Sequence, residues 1–282
     1  RIPLHPPVLA EDAASLLPDK VRPAVVWDLG LSADGELVST AVSRALVRSV
    51  RRLTYAQVQE QLAGEPADEQ LLLLAEIGPL RQELARARGA VDLPTPEQEV
   101  SDGPDGRPCL SFRAQLPSEG WNAQISLLTG IAAAALMLEA KIGLLRTLPP
   151  AEEAAVASLR RSALALGLAW PPEASYGDVV SALDPSVPAA AALLTLATRL
   201  LRGAGYVAFD GVLPEQPLHS AVAASYAHCP APLRLLADRN VHHTSLTPHA
   251  GAPVAHADRA APHCPPAGTA DRGPRARPRR RG

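Results

Sequence analysis

Apolar and polar positions change period along this chain, and the changes mark its elements. Short apolar runs at residues 25–31 and 37–47 flank the cluster Ser32-Ala33-Asp34-Gly35. Asp-Gly between two β-type runs predicts a hairpin, because a tight turn needs residues that tolerate left-handed backbone. The period then becomes helical. Thr54 is placed to cap a helix over 55–62, which Gly64-Glu65-Pro66 stops. Over 68–88, Leu71, Leu72, Leu74, Ile77, Leu80 and Leu84 recur at helical spacing, which puts Arg81, Glu83, Arg86 and Arg88 on the opposite face.

The second half follows the same logic. Strands are predicted at 91–93, 97–100 and 109–116, the last two joined by a Gly/Pro/Asp turn at 101–108. A long helix is expected over 118–141, and shorter ones over 151–166, 176–183 and 187–202. Strands follow at 206–209 and 221–226. A helix over 232–241 opens with Pro232, as first turns often do. From His242 the apolar period disappears, so 242–282 is read as a His/Pro/Arg-rich, disordered tail on a domain spanning 1–241. Unaided, the pattern predicts a mixed α/β domain without internal repeats.

Composition narrows this little. Hydrophobic residues make up 47% of 282, enough for one sizeable core, but aromatics are only 3%, so Leu, Ala and Val must build it. A net charge of −2 is not that of a dedicated nucleic-acid binder, so any nucleic-acid surface has to be local. Cys109, Cys229 and Cys264 form no disulfide framework, which fits a reducing cytoplasm. No segment reads as a membrane span: Ser126, Thr129 and Gly130 interrupt the most apolar stretch, 125–138, and no membrane partner is expected. The first residue is Arg1, with no signal-like architecture behind it, so the sequence is read as starting inside a longer protein.

Common chemical motifs are missing. There is no phosphate-cradling glycine loop and no nucleophile elbow. His242, His249, His256 and His263 recur every seven residues with Cys264 adjacent, but a Pro/Gly-rich tail offers no scaffold for a metal. The run at 272–281 is basic; it suits electrostatic RNA binding, but a solvated tail is the commoner reading of such a run.

Five local strings, in order, resemble the catalytic domain of the ribonuclease II/R (RNB) exoribonucleases. They are Ile2-Pro3-Leu4-His5-Pro6; Arg52-Leu53-Thr54-Tyr55 after Ser49; Gly89-Ala90-Val91-Asp92-Leu93 with Glu97; the 143–150 segment containing Arg146; and the stretch from Tyr226 to Asp238. The last is similar to the family signature Y.H.TSPIRRY.D, with Tyr226, His228, Pro232, Arg234 and Asp238 at matching positions. The resemblance implies an RNB-type α/β fold, with helices on a central, mostly antiparallel sheet. It implies magnesium-dependent hydrolysis of single-stranded RNA from the 3′ end, releasing nucleoside monophosphates. It gives Arg234 the role of holding a phosphate beside the reaction. Tyr226 and His228 become candidates for lining the RNA path, although packing against the core explains them equally well. Arg146 and Arg52 become weaker RNA contacts, and Asp238 an orienting residue.

The departures also carry expectations. The family's aspartate cluster, which binds magnesium, has no equivalent in these residues, so the metal has no ligands here. Leu235 and Leu236 replace the second Arg and the Tyr of the signature, and Gly143 and Leu145 stand where an aromatic is usual. The expectation is an exoribonuclease domain that is inactive as an isolated chain. The alternative is a non-catalytic remnant that binds RNA or protein.

Overall fold

The computed structural model describes residues 5–64, 68–94, 97–103, 106–113 and 115–249. After a π-helical turn at Val8–Ala13, β1 (Val21–Leu31) and β2 (Leu37–Arg48) form a long antiparallel ribbon, with Val21 opposite Arg48 and Leu31 opposite Leu37. Helix α1 (Tyr55–Ala63) starts as its sequence predicts. Thr54 accepts from the Gln57 N–H, and Gln57 accepts in return from the Thr54 N–H, closing a capping box. Helix α2 (Glu69–Ala87) is capped by the Asp68 carboxylate, which accepts from the Gln70 and Leu71 N–H groups.

A second hairpin joins β3 (Glu97–Asp102) to β4 (Pro108–Arg113) and leads into α3 (Pro117–Ala140). Glu119 reaches back to the Leu116 N–H and also pairs with Arg113. Helix α3 is the centre of the fold. Ala132, Ala133 and Ala134 are fully buried, and their small side chains let neighbours approach closely. By length and apolarity alone this helix could cross a membrane, contrary to the reading that its polar residues break the span. Here it is packed against α2, α7 (Leu236–His249) and β5 (Ile142–Thr147).

The chain then forms α4 (Glu153–Ala165), α5 (Tyr176–Ser181) and α6 (Pro188–Ala197), with a 3-10 turn at Thr198–Leu201. These three helices bury a core of their own around Leu159, Trp170, Val180, Leu193 and Leu194. Strand β6 (Gly205–Asp210) returns to pair with β5, and β7 (Leu218–His219) pairs with β8 (Ala224–Ser225). A second core joins α3, β5, β6 and α7 through Ala133, Met137, Leu145, Phe209 and Val241. Each fully buried aliphatic side chain of this kind contributes about 1.5–3 kcal/mol.

The mixed α/β architecture and the antiparallel pairing agree with expectation. The single central sheet does not appear: among the described residues the strands form four separate two-stranded pairs, with one parallel bridge between Leu148 and His219. Residues 91–93 form no strand; the Val91 N–H donates to the Ala221 carbonyl. The strand expected at 221–226 shrinks to β8, because the chain turns at 220–223 with Ala223 at φ 53°. The helix expected at 232–241 begins at Leu236 and continues to His249, eight residues into the expected tail. Arg81 is not on a solvent face. It is 4% exposed, its Nη1 donates to the Gly35 carbonyl at 2.8 Å, and burial pulls its pKa down. Ile2, Pro3 and Leu4 of the opening string lie outside the described residues.

Candidate nucleic-acid interface

The segment from Tyr226 to Asp238 is laid directly across α3. The Ala227 N–H donates to the carbonyl of Gly130 at 3.0 Å. That approach requires glycine: a Cβ on Gly130 would lie 2.2 Å from Tyr226 Cε2 and 2.8 Å from the Ala227 oxygen. On its other side the Tyr226 carbonyl accepts from the Arg146 N–H at 2.8 Å. Tyr226 is therefore only 4% exposed and has no free face for a base; the core-packing role fits its position.

Its hydroxyl lies 2.7 Å from His228 Nδ1. Burial raises the Tyr226 phenol well above the usual range and lowers the His228 imidazole. Both shifts favour the neutral pair, a phenol and an uncharged imidazole sharing one hydrogen bond whose direction follows the imidazole tautomer. The His219 ring meets Tyr226 edge-on, with centroids 5.8 Å apart, and burial lowers His219 as well. His228 Nε2 is 3.8 Å from the Asp238 carboxylate, which opposes the burial effect on that ring.

Asp238 is fully buried and organises the loop that carries Arg234. Its Oδ2 accepts from the Ala231 N–H at 2.9 Å. The Ala231 carbonyl accepts from the N–H groups of Arg234 and Leu235, both at 2.9 Å. One residue is held on both sides, and the turn beyond it directs Arg234 to the surface. Asp238 Oδ1 has no hydrogen-bond partner among the described residues.

Arg234 opens onto a cleft of about 1040 Å³ between the 229–234 loop, the β1–β2 ribbon, the first turn of the chain and α7. Leu9, Val25, Trp27, Pro230 and Pro232 give it apolar walls. Arg44, Arg234 and Arg239 are exposed at it, and His5, His242 and His243 also line it. Among the described residues no Asp or Glu lines it, although acids outnumber bases in the chain. None of the three guanidinium groups makes a hydrogen bond or ion pair among the described residues. The cleft is therefore a local cationic site in an acidic protein.

His242 is fixed in one tautomer there. Trp27 Nε1–H donates to its Nδ1 at 3.2 Å, so Nε2 carries the proton it donates to the Cys229 carbonyl at 2.7 Å. Burial lowers its pKa, and the neighbouring Cys229 thiol is pushed up to about 12. His242 thus has a structural partner on each nitrogen and is no free metal ligand. His256, His263 and Cys264 lie outside the described residues.

The other sequence-derived candidates scatter. Arg146 sits on β5 beside Tyr206, away from the cleft lining, and Arg52 is exposed in the turn before α1. Sequence reasoning missed Arg44, Arg239 and Trp27, and weighed His242 only as a metal ligand of the tail. Arg44 reads as one polar position of an alternating strand, and only the three-dimensional cleft sets it beside Arg234.

The chain belongs to the RNB domain family of exoribonucleases, whose family model matches residues 1–246. It is 26% identical over 257 residues to the exosome complex exonuclease RRP44 homolog A of Arabidopsis thaliana, covering 86% of this chain and 27% of that protein. It is 23% identical over 115 residues to ribonuclease R 1 of Lactococcus lactis, covering 38% of this chain and 14% of that one. The chain thus spans less than a third of either curated relative. Among solved structures it is similar to Mycoplasma genitalium RNase R in complex with ribose-methylated single-stranded RNA, with a TM-score of 0.71 at 20% identity over 87% of this chain and 40% of that one. It is also similar to yeast Ssd1, a pseudonuclease, with a TM-score of 0.67 at 20% identity over 89% of this chain and 32% of that one.

Proposed function

We propose that this chain is the RNA-gripping part of a 3′-to-5′ exoribonuclease domain, and that its cleft holds the phosphates of single-stranded RNA. The observation that carries this reading is a cleft that, among the described residues, is lined by no acid and holds three guanidinium groups without a partner, Arg234 among them. A guanidinium presents a planar fork to two phosphate oxygens, and Arg44 and Arg239 supply further positive charge at the same opening. The apolar walls, Trp27 among them, suit bases better than solvent.

Magnesium is the ion that the family resemblance implies. Among the described residues, no group of three or more His, Cys, Asp or Glu side chains is placed to hold a metal. The residues present do not fit the ion. What these residues do is bind and orient RNA, which leaves phosphodiester cleavage without its largest electrostatic contribution. The 282-residue chain on its own is expected to bind RNA and not degrade it.

Single-stranded RNA binding at two salt concentrations tests the reading. Arg234→Ala should weaken binding by about 1.5–3 kcal/mol at low salt, roughly ten- to a hundred-fold in Kd. It should also flatten the slope of log K against log salt by about 0.7, the value for one lost phosphate contact on a single strand. Binding that ignores Arg234 would sink the proposal. Magnesium-dependent decay of an RNA oligomer by the pure chain would sink the inactive-alone part of it.

The lack of a metal-holding group among the described residues and the likeness in fold to a pseudonuclease favour a second reading, a non-catalytic RNA-binding homologue. Decay of RNA by the complete gene product, compared with this chain, separates the two. Activity in the complete product alone supports the enzyme; activity in neither supports the homologue that only binds.

A further inference from the structure

Two side chains of α7 fasten the loop that carries Arg234. Asp238 accepts from the Ala231 N–H at 2.9 Å, and His242 Nε2 donates to the Cys229 carbonyl at 2.7 Å. The pair stand at i and i+4, on one face of the helix. His242 makes a further bond. Its Nδ1 accepts from the Trp27 indole N–H at 3.2 Å, and Trp27 lies on β1. In the ribbon Trp27 is opposite Val42, and Val25 is opposite Arg44. The imidazole therefore ties the loop of Arg234 to the ribbon of Arg44, which are two walls of the same cleft.

That tie exists only for the neutral ring. An indole N–H can donate and cannot accept. A second ring proton would sit on Nδ1 and face it, donor against donor, while the Nε2 bond to the Cys229 carbonyl would be kept. Protonation thus frees the ribbon and leaves the loop held. The groups around the ring are mostly basic: His5 from the first turn, Arg44 from β2, Arg234 from the loop, and Arg239 and His243 from α7. The Asp238 carboxylate also acts on the ring, and the Cys229 thiol lies beside it. Burial lowers the pKa of His242, so the ring is neutral at neutral pH.

We propose that His242 is a positioning residue whose neutral ring sets the spacing between Arg44 and Arg234, and with it the RNA phosphates that both can hold at once. This rests on the RNA-binding reading given above. Acidification then has two opposed effects. Protons taken up by the histidines of the cleft draw phosphate in, whereas release of Trp27 takes Arg44 out of register with Arg234. A cleft governed by charge alone would bind RNA more tightly as pH falls. This one binds it less tightly.

The test measures binding of a single-stranded oligouridylate to the full chain and to His242→Gln at pH 7.5 and pH 5.0, with melting curves to show both chains folded at each pH. Glutamine can offer an amide N–H to the Cys229 carbonyl and an amide oxygen to Trp27, and it does not titrate. The parent should lose about 2- to 12-fold in affinity on acidification, the equivalent of one hydrogen bond. His242→Gln should match the parent at pH 7.5 and lose nothing at pH 5.0. The NMR resonance of the Trp27 indole N–H reads the tie with no RNA and no variant: it should move between the two pH values in the parent. Equal pH profiles for parent and His242→Gln, or tighter binding by the parent at pH 5.0, overturn the inference while the RNA reading stands. If the parent binds no RNA at either pH, the RNA reading falls, and a Trp27 resonance that stays in place overturns the tie itself.

Discussion

At the scale of single residues, the site holds three partly buried histidines, two of which, His228 and His242, feel the charge of the buried Asp238 carboxylate. His219, His228 and His242 all have pKa values lowered from the ordinary 6.5, chiefly by burial. A lowered histidine pKa means that the unfolded chain takes up protons at a pH where the folded one does not. Their contribution to stability is therefore intact above about pH 7 and is lost as pH falls through 6.5. Each could lose at most about 1.4 kcal/mol per pH unit, and partial solvent exposure reduces this. The urea midpoint should be lower at pH 5.5 than at pH 7.5, well above the range where carboxylates protonate; equal midpoints would contradict the assigned neutral state. Arg234, Tyr226 and His228 were legible in the sequence as a spaced string. What each one does was not, because burial separates them: Tyr226 turns inward and Arg234 outward on the same short segment. Asp238 accepts from the Ala231 backbone N–H at the base of the Arg234 turn.

At the scale of elements, what the sequence reveals depends on whether the signal is local. Thr54 and Asp68 cap α1 and α2 where polarity and spacing put them, and the β1–β2 hairpin turns at its Asp-Gly. Strand β5 carries no such signal. It follows α3 with only a left-handed Lys141 between, and its leucine-rich sequence reads as helix as easily as strand. Its partner β6 lies some sixty residues away, so pairing rather than propensity makes it a strand. The same long-range dependence explains Arg81, whose partner on the β-turn is distant in sequence. The crossing of α3 and the Tyr226 segment offers the clearest element-scale test. Gly130→Ala forces a methyl group into the Tyr226 ring and should cost about 1–3 kcal/mol, seen as a Tm several degrees lower and a weaker grip on RNA. Gly64→Ala, whose new Cβ would meet only ordinary contacts at 3.6 Å, should leave Tm nearly unchanged. Equal effects from the two substitutions would refute the close-approach argument.

At the scale of the whole molecule, α7 closes the structure. It supplies Val241, Ala237 and Asp238 to the interior and His242 to the cleft, and it packs on α3, β5 and β2. Sequence pattern ended the domain at Val241, because His242 and His243 interrupt the apolar period. In the fold those polar residues line the cleft, where they have partners. Removing every residue after Leu235 should abolish cooperative thermal unfolding and RNA binding together; a sharp melt retained by the shortened chain would show that α7 is an accessory. The family assignment was legible because its strings lie in one order along most of the chain. The shape of the cleft was not, because it is assembled from the first turn, the first ribbon and the last helix.

The Trp27–His242 hydrogen bond joins positions 215 residues apart. During synthesis the ribbon that carries Trp27 emerges early and must wait for its partner. Until α7 leaves the ribosome, the small-residue face of α3 and the underside of β5 stay bare, and loop closure over such a span is slow. A stalled or prematurely terminated message would therefore yield a sticky intermediate, not a shorter working protein, and such a chain is a natural client for chaperones.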